Sequence, residues 1–160
     1  MTLFHGGTDI VESPLIRQHI LGRDFGRGFY CTDIRSQAES WARRQGRIRK
    51  QGALINVYEF DMDRSRENLR INFFEDYSLE WLELVINCRK SPLYDHGFDI
   101  VYGKIANDDV GETIQAVLDG LMPPAFALER LAFMHTNNQY CFCTEKSLEY
   151  LGFIESIKLE

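Results

Sequence analysis

The sequence predicts a single α+β domain. Strand-like and helix-like stretches follow one another without the regular interleaving that builds a parallel sheet, in the order strand, strand, helix, strand, helix, strand, helices, strand, helix, strand. No repeat, low-complexity tract or Ser/Pro-rich linker divides the 160 residues. A chain of this length buries roughly two-thirds of the surface it exposes when unfolded, so its core needs neither disulfides nor a structural metal. One domain over 1–160 is expected.

Leu3 to His5 is a short apolar start followed by Gly6-Gly7, which reads as a strand running into a turn. A polar, irregular stretch extends to Arg23. Phe25-Gly26-Arg27-Gly28 then punctuates a second strand, Phe29 to Thr32, rich in aromatic and β-favouring residues. Ser36-Gln37-Ala38-Glu39 has the form of a capping box, so a helix is expected to start there and run to about Gln45, with Gly46 as its stop. That helix places Ala38, Trp41 and Ala42 on one face.

Leu54 to Phe60 (LINVYEF) reads as a buried strand. Ser78 caps an apolar helix from Leu79 to about Cys88, and Asp99 to Tyr102 is another strand. Gly111 to Asp119 carries Ile114, Val117 and Leu118 at helical spacing. Pro124 to Leu131 reads as a short helix with proline in its first turn. The chain finishes with strands from Gln139 to Thr144 and from Phe153 to Lys158, around a helix from Glu145 to Tyr150.

Composition narrows the function classes. Lys+Arg 18 against Asp+Glu 24 gives a net charge of −6, which argues against a surface that coats nucleic acid everywhere but leaves room for a local basic patch. No apolar run approaches the roughly 20 residues of a membrane helix, and MTLFHGG lacks the layout of a signal peptide, so a cytoplasmic protein without a membrane partner is expected. The four cysteines, Cys31, Cys88, Cys141 and Cys143, include no C-x-x-C pair, and no metal site is expected. Cys141 and Cys143 would point the same way from a strand and read as small buried residues. The glycine-rich Gly22 to Gly28 stretch leads into a strand, whereas a phosphate-binding loop or dinucleotide fingerprint must open a helix.

Three separated segments acquire meaning together. Phe4-His5-Gly6-Gly7 puts a His-Gly at the end of the first strand, Phe25-Gly26-Arg27-Gly28-Phe29-Tyr30 leads through Cys31-Thr32-Asp33 to the helix bearing Trp41, and Asn138-Gln139-Tyr140 opens a late strand. This layout resembles the catalytic domain of the ADP-ribosyltransferase superfamily in its diphtheria-toxin and poly(ADP-ribose) polymerase branch. It looks most like a compact bacterial family of that superfamily known as domains of unknown function, with FG-x-GFY and NNQYCF segments. The resemblance covers most of the chain in order and implies a split mixed and antiparallel β-sheet core with peripheral helices.

What the resemblance implies is an enzyme that takes NAD as substrate. His5, Tyr30 and Gln139 would form its catalytic triad. His5 would hydrogen-bond the nicotinamide-side ribose, the backbone of Gly6 would grip the nicotinamide amide, Tyr30 would stack on the ring beside the close-approach glycine Gly28, and Trp41 would close the sandwich. Arg17, Arg23 and Arg27 flank that pocket as candidates for the diphosphate, since a guanidinium offers bidentate geometry. The chemistry suits these residue types: the departing ring is flat and cationic, and the ribose left behind gains positive character.

The sequence departs from the family pattern at two positions. Gln139 stands where the polymerases have Glu; its amide accepts a hydrogen bond but carries no charge and is no general base. Ala38 occupies the helix position of a Ser hydroxyl that meets the nicotinamide amide. Transfer of a single ADP-ribose is therefore expected rather than chain elongation, to an acceptor that is a good nucleophile, or with Glu145 or another acid supplying the charge.

The expectation is an NAD-dependent mono-ADP-ribosyltransferase, by resemblance a bacterial toxin or phage-defence effector with a neutralising antitoxin protein, acting on a protein or nucleic-acid acceptor. The alternatives are a catalytically silent NAD-binding or partner-binding module and an NAD glycohydrolase. The basic run Arg43, Arg44, Arg47, Arg49 and Lys50 reads either as a solvated helix end or as a surface steering an anion. His135, with Asn137 and Asn138, forms a loop that contacts an acceptor or simply turns.

Overall fold

The computed structural model describes residues 1–16, 23–105, 108–132 and 137–160. In chain order its elements are β1 (Thr2–Gly7), β2 (Phe29–Cys31), α1 (Arg35–Arg49), β3 (Leu54–Phe60), α2 (Met62–Asn68), β4 (Ile71–Phe73), α3 (Leu79–Lys90), β5 (Ile100–Lys104), α4 (Asp108–Leu118), α5 (Pro124–Leu131), β6 (Asn138–Phe142), α6 (Glu145–Leu148) and β7 (Leu151–Lys158). The class is α+β, as the sequence predicts. The strands split into a three-stranded sheet, β1-β3-β7, and a four-stranded sheet, β2-β6-β5-β4. The first is antiparallel throughout, and the second is mixed because β4 runs parallel to β5.

The two sheets meet where Phe4 and Thr32 exchange backbone hydrogen bonds of 2.8 and 2.9 Å. This single bridge sets β1 beside the end of β2. Between the sheets lie Leu3, Phe29, Tyr58, Phe60, Tyr140 and Phe142, with Phe60 and Phe142 edge-to-face at 5.1 Å, a favoured aromatic geometry.

Small residues let α1 lie close on β1. Ala38, Ala42 and Gly46 form its buried stripe, and a Cβ on Gly6 would stand 2.1 Å from the Ala38 carbonyl oxygen. Glycine is required there by contact, since no side chain fits between strand and helix. On the other sheet α3 buries Trp81, Leu82, Leu84, Val85 and Cys88. The Trp81 indole N–H donates to the Lys104 carbonyl at 3.2 Å.

Several expected boundaries move. Gly6 and Gly7 belong to β1 rather than to a turn, because they pair with Ile55 and Leu54. The capping box at Ser36 does not form: α1 starts at Arg35, Ile34 is its N-cap without a side-chain bond, and the Glu39 carboxylate instead accepts from Arg35 at 2.8 Å. Nor does Gly46 stop the helix, which continues to Arg49 and ends on Lys50 in the left-handed region at φ 55°. Gly46 is kept small by Gln51 and Ala53, whose atoms would meet its Cβ at 2.9 and 3.3 Å. The capping box forms later, with Thr144 and Ser147 satisfying each other at the start of α6. The short α2 and β4, which the sequence reading passes over, fill the span between β3 and α3.

Candidate functional site

The joint between the sheets fixes His5. Its Nδ1 lies 2.7 Å from the Tyr30 carbonyl oxygen; a carbonyl only accepts, so Nδ1 carries a proton, and the ring in its neutral form has its lone pair on Nε2. The imidazole also stacks on Phe29, with centroids 4.5 Å apart and planes at 27°. Position and tautomer are thus set by the strand pair itself.

Tyr30 follows on β2. Its hydroxyl donates to the Gly26 carbonyl at 2.5 Å, and burial, then the neighbouring Cys141, push the phenol well above its ordinary value. Tyr30 therefore keeps its proton and is no base. A planar cation already sits over that ring, since the Arg23 guanidinium carbon is 5.5 Å from its centroid. Gly28 is held glycine by β6, where a Cβ would come 2.3 Å from the Cys141 sulfur and 2.6 Å from the Phe142 carbonyl oxygen.

Gln139 lies near the start of β6, half-buried and paired with Gly103 of β5. Gln37 of α1 reaches the same strand, its Nε2 donating to the Asn138 carbonyl at 3.0 Å. The other half of that carboxamide, Oε1, is buried without a hydrogen-bond partner. A sealed, unsatisfied acceptor of this kind costs about 1–3 kcal/mol.

His5, Gly6, Gly28, Tyr30, Trp41, Arg23 and Gln139 all line one cleft of about 920 Å³. Arg27 does not line it, and Arg17 lies outside the described residues, as does His135. Glu145, which opens α6, is not among the lining residues either. Among the described residues the carboxylates that line the cleft are Asp9 and Asp24, and each meets an arginine. Asp24 receives both Nε and Nη2 of Arg89, at 2.9 and 2.5 Å, in a nearly buried pair, while Asp9 faces Arg49 at 3.4 Å.

Sequence reasoning missed Gln37 and the Asp24–Arg89 pair. Gln37 sits four residues before Trp41 on the same helical flank, a spacing that could have found it. The ion pair joins a loop to the end of α3 and leaves no local pattern. Among the described residues no group of three or more His, Cys, Asp or Glu could hold a metal ion, and no helix is long and apolar enough to cross a membrane.

Residues 1–153 match the model of the family described as "Protein of unknown function (DUF3990)", and the chain belongs to that family. No curated protein and no solved structure matches it.

Proposed function

We propose that this family member is an NAD-dependent mono-ADP-ribosyltransferase with an ADP-ribosyltransferase-like fold, its donor site the cleft at the joint of the two sheets. One observation carries the reading: His5, Tyr30 and Gln139, from three distant parts of the chain, line a single cleft. The lining suits NAD. Its volume falls in the range of small-molecule sites, and Gly6, the Tyr30 ring and the Gln37 side chain all lie along it. NAD supplies a ribose whose bond to nicotinamide breaks when the departing ring is held and the developing charge is met.

The chain's own groups divide that work. Tyr30 offers the stacking face on which Arg23 now rests, and a planar ring entering there sends Arg23 toward the diphosphate. His5 accepts at Nε2 from a ribose hydroxyl, because Nδ1 is committed to the Tyr30 carbonyl. Gln139 orients a hydroxyl and adds no charge. The test is release of nicotinamide from NAD by the purified protein in the presence of a bacterial lysate, with His5→Ala alongside. Release that falls at least about a hundredfold in the variant supports the reading; no release together with no NAD binding by calorimetry ends it.

A second reading, the silent module, is favoured by charge. Among the described residues both carboxylates lining the cleft are paired with arginines, which leaves neither of them an unpaired charge to act in place of the missing Glu. NAD bound without nicotinamide release marks that case, and release without a labelled macromolecule marks a glycohydrolase. Growth arrest on expression, absent with His5→Ala, supports a toxin or defence effector.

A further inference from the structure

The outer flank of α1 carries charge at odds with the rest of the molecule. Between residues 35 and 50 six cationic side chains meet one carboxylate, Glu39, in a chain of net charge −6. The helix dipole favours cations in the last turn, where Arg47 and Arg49 lie, but gives no reason for Arg43 and Arg44 further back. Arg35 is paired with Glu39 and Arg49 with Asp9. Arg44, Arg47 and Lys50 make no ion pair among the described residues.

An aromatic ring lies against one of these cations. Trp41 is 41% exposed, and the Arg44 guanidinium carbon is 5.8 Å from its ring centroid. Trp41 and Arg44 also line the cleft that holds His5, Tyr30 and Gln139. A half-exposed indole under a guanidinium is a platform for another flat ring, and Arg47 and Lys50 further along the helix, which line a second groove with Arg43, suit a phosphate chain leading away from it. An acidic protein would use the cations and leave the indole idle. A duplex offers phosphates but keeps its bases stacked inside; a single strand uses both.

We propose that the acceptor is a single-stranded nucleic acid, its phosphates running past Arg44 and Arg47 and one base stacked on Trp41 at the mouth of the cleft. The inference rests on the donor-site reading above. In the transfer, the bond from ribose to nicotinamide breaks with its electron pair leaving on nicotinamide. A nitrogen or oxygen of the nucleic acid bonds to the ribose carbon, and the proton it loses passes to water.

The experiment is fluorescence anisotropy, without NAD, using labelled DNA and RNA single strands of mixed sequence, the matching duplexes, and polyglutamate. Single strands are expected to bind best and to weaken with salt. The double variant Arg44→Ala/Arg47→Ala should lower the log–log salt slope by about 1.4. Trp41→Ala should weaken binding about tenfold while Trp41→Phe keeps most of it. Equal binding of duplex, preference for polyglutamate, or wild-type affinity in Trp41→Ala overturns the proposal. Nicotinamide release with no single-strand binding defeats this inference alone, whereas single-strand binding with no NAD binding defeats the donor site and leaves the surface standing.

Discussion

His5 and Tyr30 are joined by a hydrogen bond from the imidazole Nδ1 to the tyrosine carbonyl, 2.7 Å long. The bond spans the joint between the sheets, next to the Phe4–Thr32 bridge. A side chain that is to accept from a ligand at Nε2 thus has its tautomer set by main chain, which neither rotamer change nor solvent readily undoes. The geometry of the site therefore depends on how β1 seats against α1 and β2, and the first prediction concerns that seat.

Gly6→Ala should be strongly destabilising and Gly52→Ala close to neutral. The new Cβ at Gly6 meets the Ala38 carbonyl oxygen at 2.1 Å, whereas at Gly52 nothing lies within 4 Å. Overpacking against main chain costs about 3 kcal/mol or more, and an unencumbered surface change stays within about 0.5 kcal/mol. Urea unfolding of both variants measures the contrast, and equal midpoints would show that α1 does not press on β1 as described.

Asp24→Ala should cost about 3–5 kcal/mol, because it leaves the Arg89 guanidinium nearly buried and without its carboxylate. Asp24→Leu combined with Arg89→Met should recover most of that loss. Thermal melts of the single and double variants separate an ion pair that merely must not be broken from one that adds stability outright.

If the cleft cleaves NAD as proposed, Gln139→Glu should accelerate nicotinamide release. A carboxylate at this half-buried position on β6 adds the charge that a developing cation lacks, an effect on the order of a hundredfold. Initial rates in wild type and variant decide it; an unchanged or lower rate would mean that Gln139 does not face the reacting ribose.

Gln37→Leu should keep or gain stability. Removing the carboxamide abolishes the sealed, unsatisfied Oε1 and loses only the bond to the Asn138 carbonyl, so the melting temperature should hold or rise. Thermal melts of wild type and variant check this, and a clear fall in melting temperature would show that the bond to the Asn138 carbonyl outweighs the sealed oxygen.

Alkaline pH should destabilise the fold before any exposed group accounts for it. Burial pushes the Cys88 thiol up to about 12 and raises Cys31 as well, while the hydrogen bond with Cys141, then burial, raises Cys143. Unfolded thiols ionise from their ordinary value of 9.0, so above that pH the unfolded chain holds fewer protons than the folded one. Stability is full below about pH 9 and declines as pH rises through the folded values. Urea midpoints on either side of that pH should show the drop, and Cys88→Ala should lessen it; a flat profile would contradict it.

The sequence by itself determined the elements whose signals are local. LINVYEF is a strand because five of its seven side chains are apolar, β-branched or aromatic residues prominent among them, and it is buried almost throughout. Ser78 caps α3 by accepting from the Trp81 amide, and Pro124 opens α5, both visible in the chain. The His-Gly, Gly-x-Gly-Phe-Tyr and Asn-Gln-Tyr segments were visible in the chain too, and residues of all three line the cleft. The start of α1 was not: Thr32, tied to Phe4 across the joint, accepts the Ile34 amide through its hydroxyl, and the helix begins as soon as the chain leaves that tie. α2 buries only Ser65, and β4 is three residues paired with β5, so neither carries enough periodicity to be read.

Tertiary structure alone decided the convergence of β1, β2, α1 and β6 on one cleft, the unsatisfied oxygen of Gln37 and the pairing of Asp24 with Arg89. Each is a contact between residues far apart in the chain, made by the packing of whole elements. Periodicity and capping report only a residue's near neighbours, and so carry no trace of such contacts.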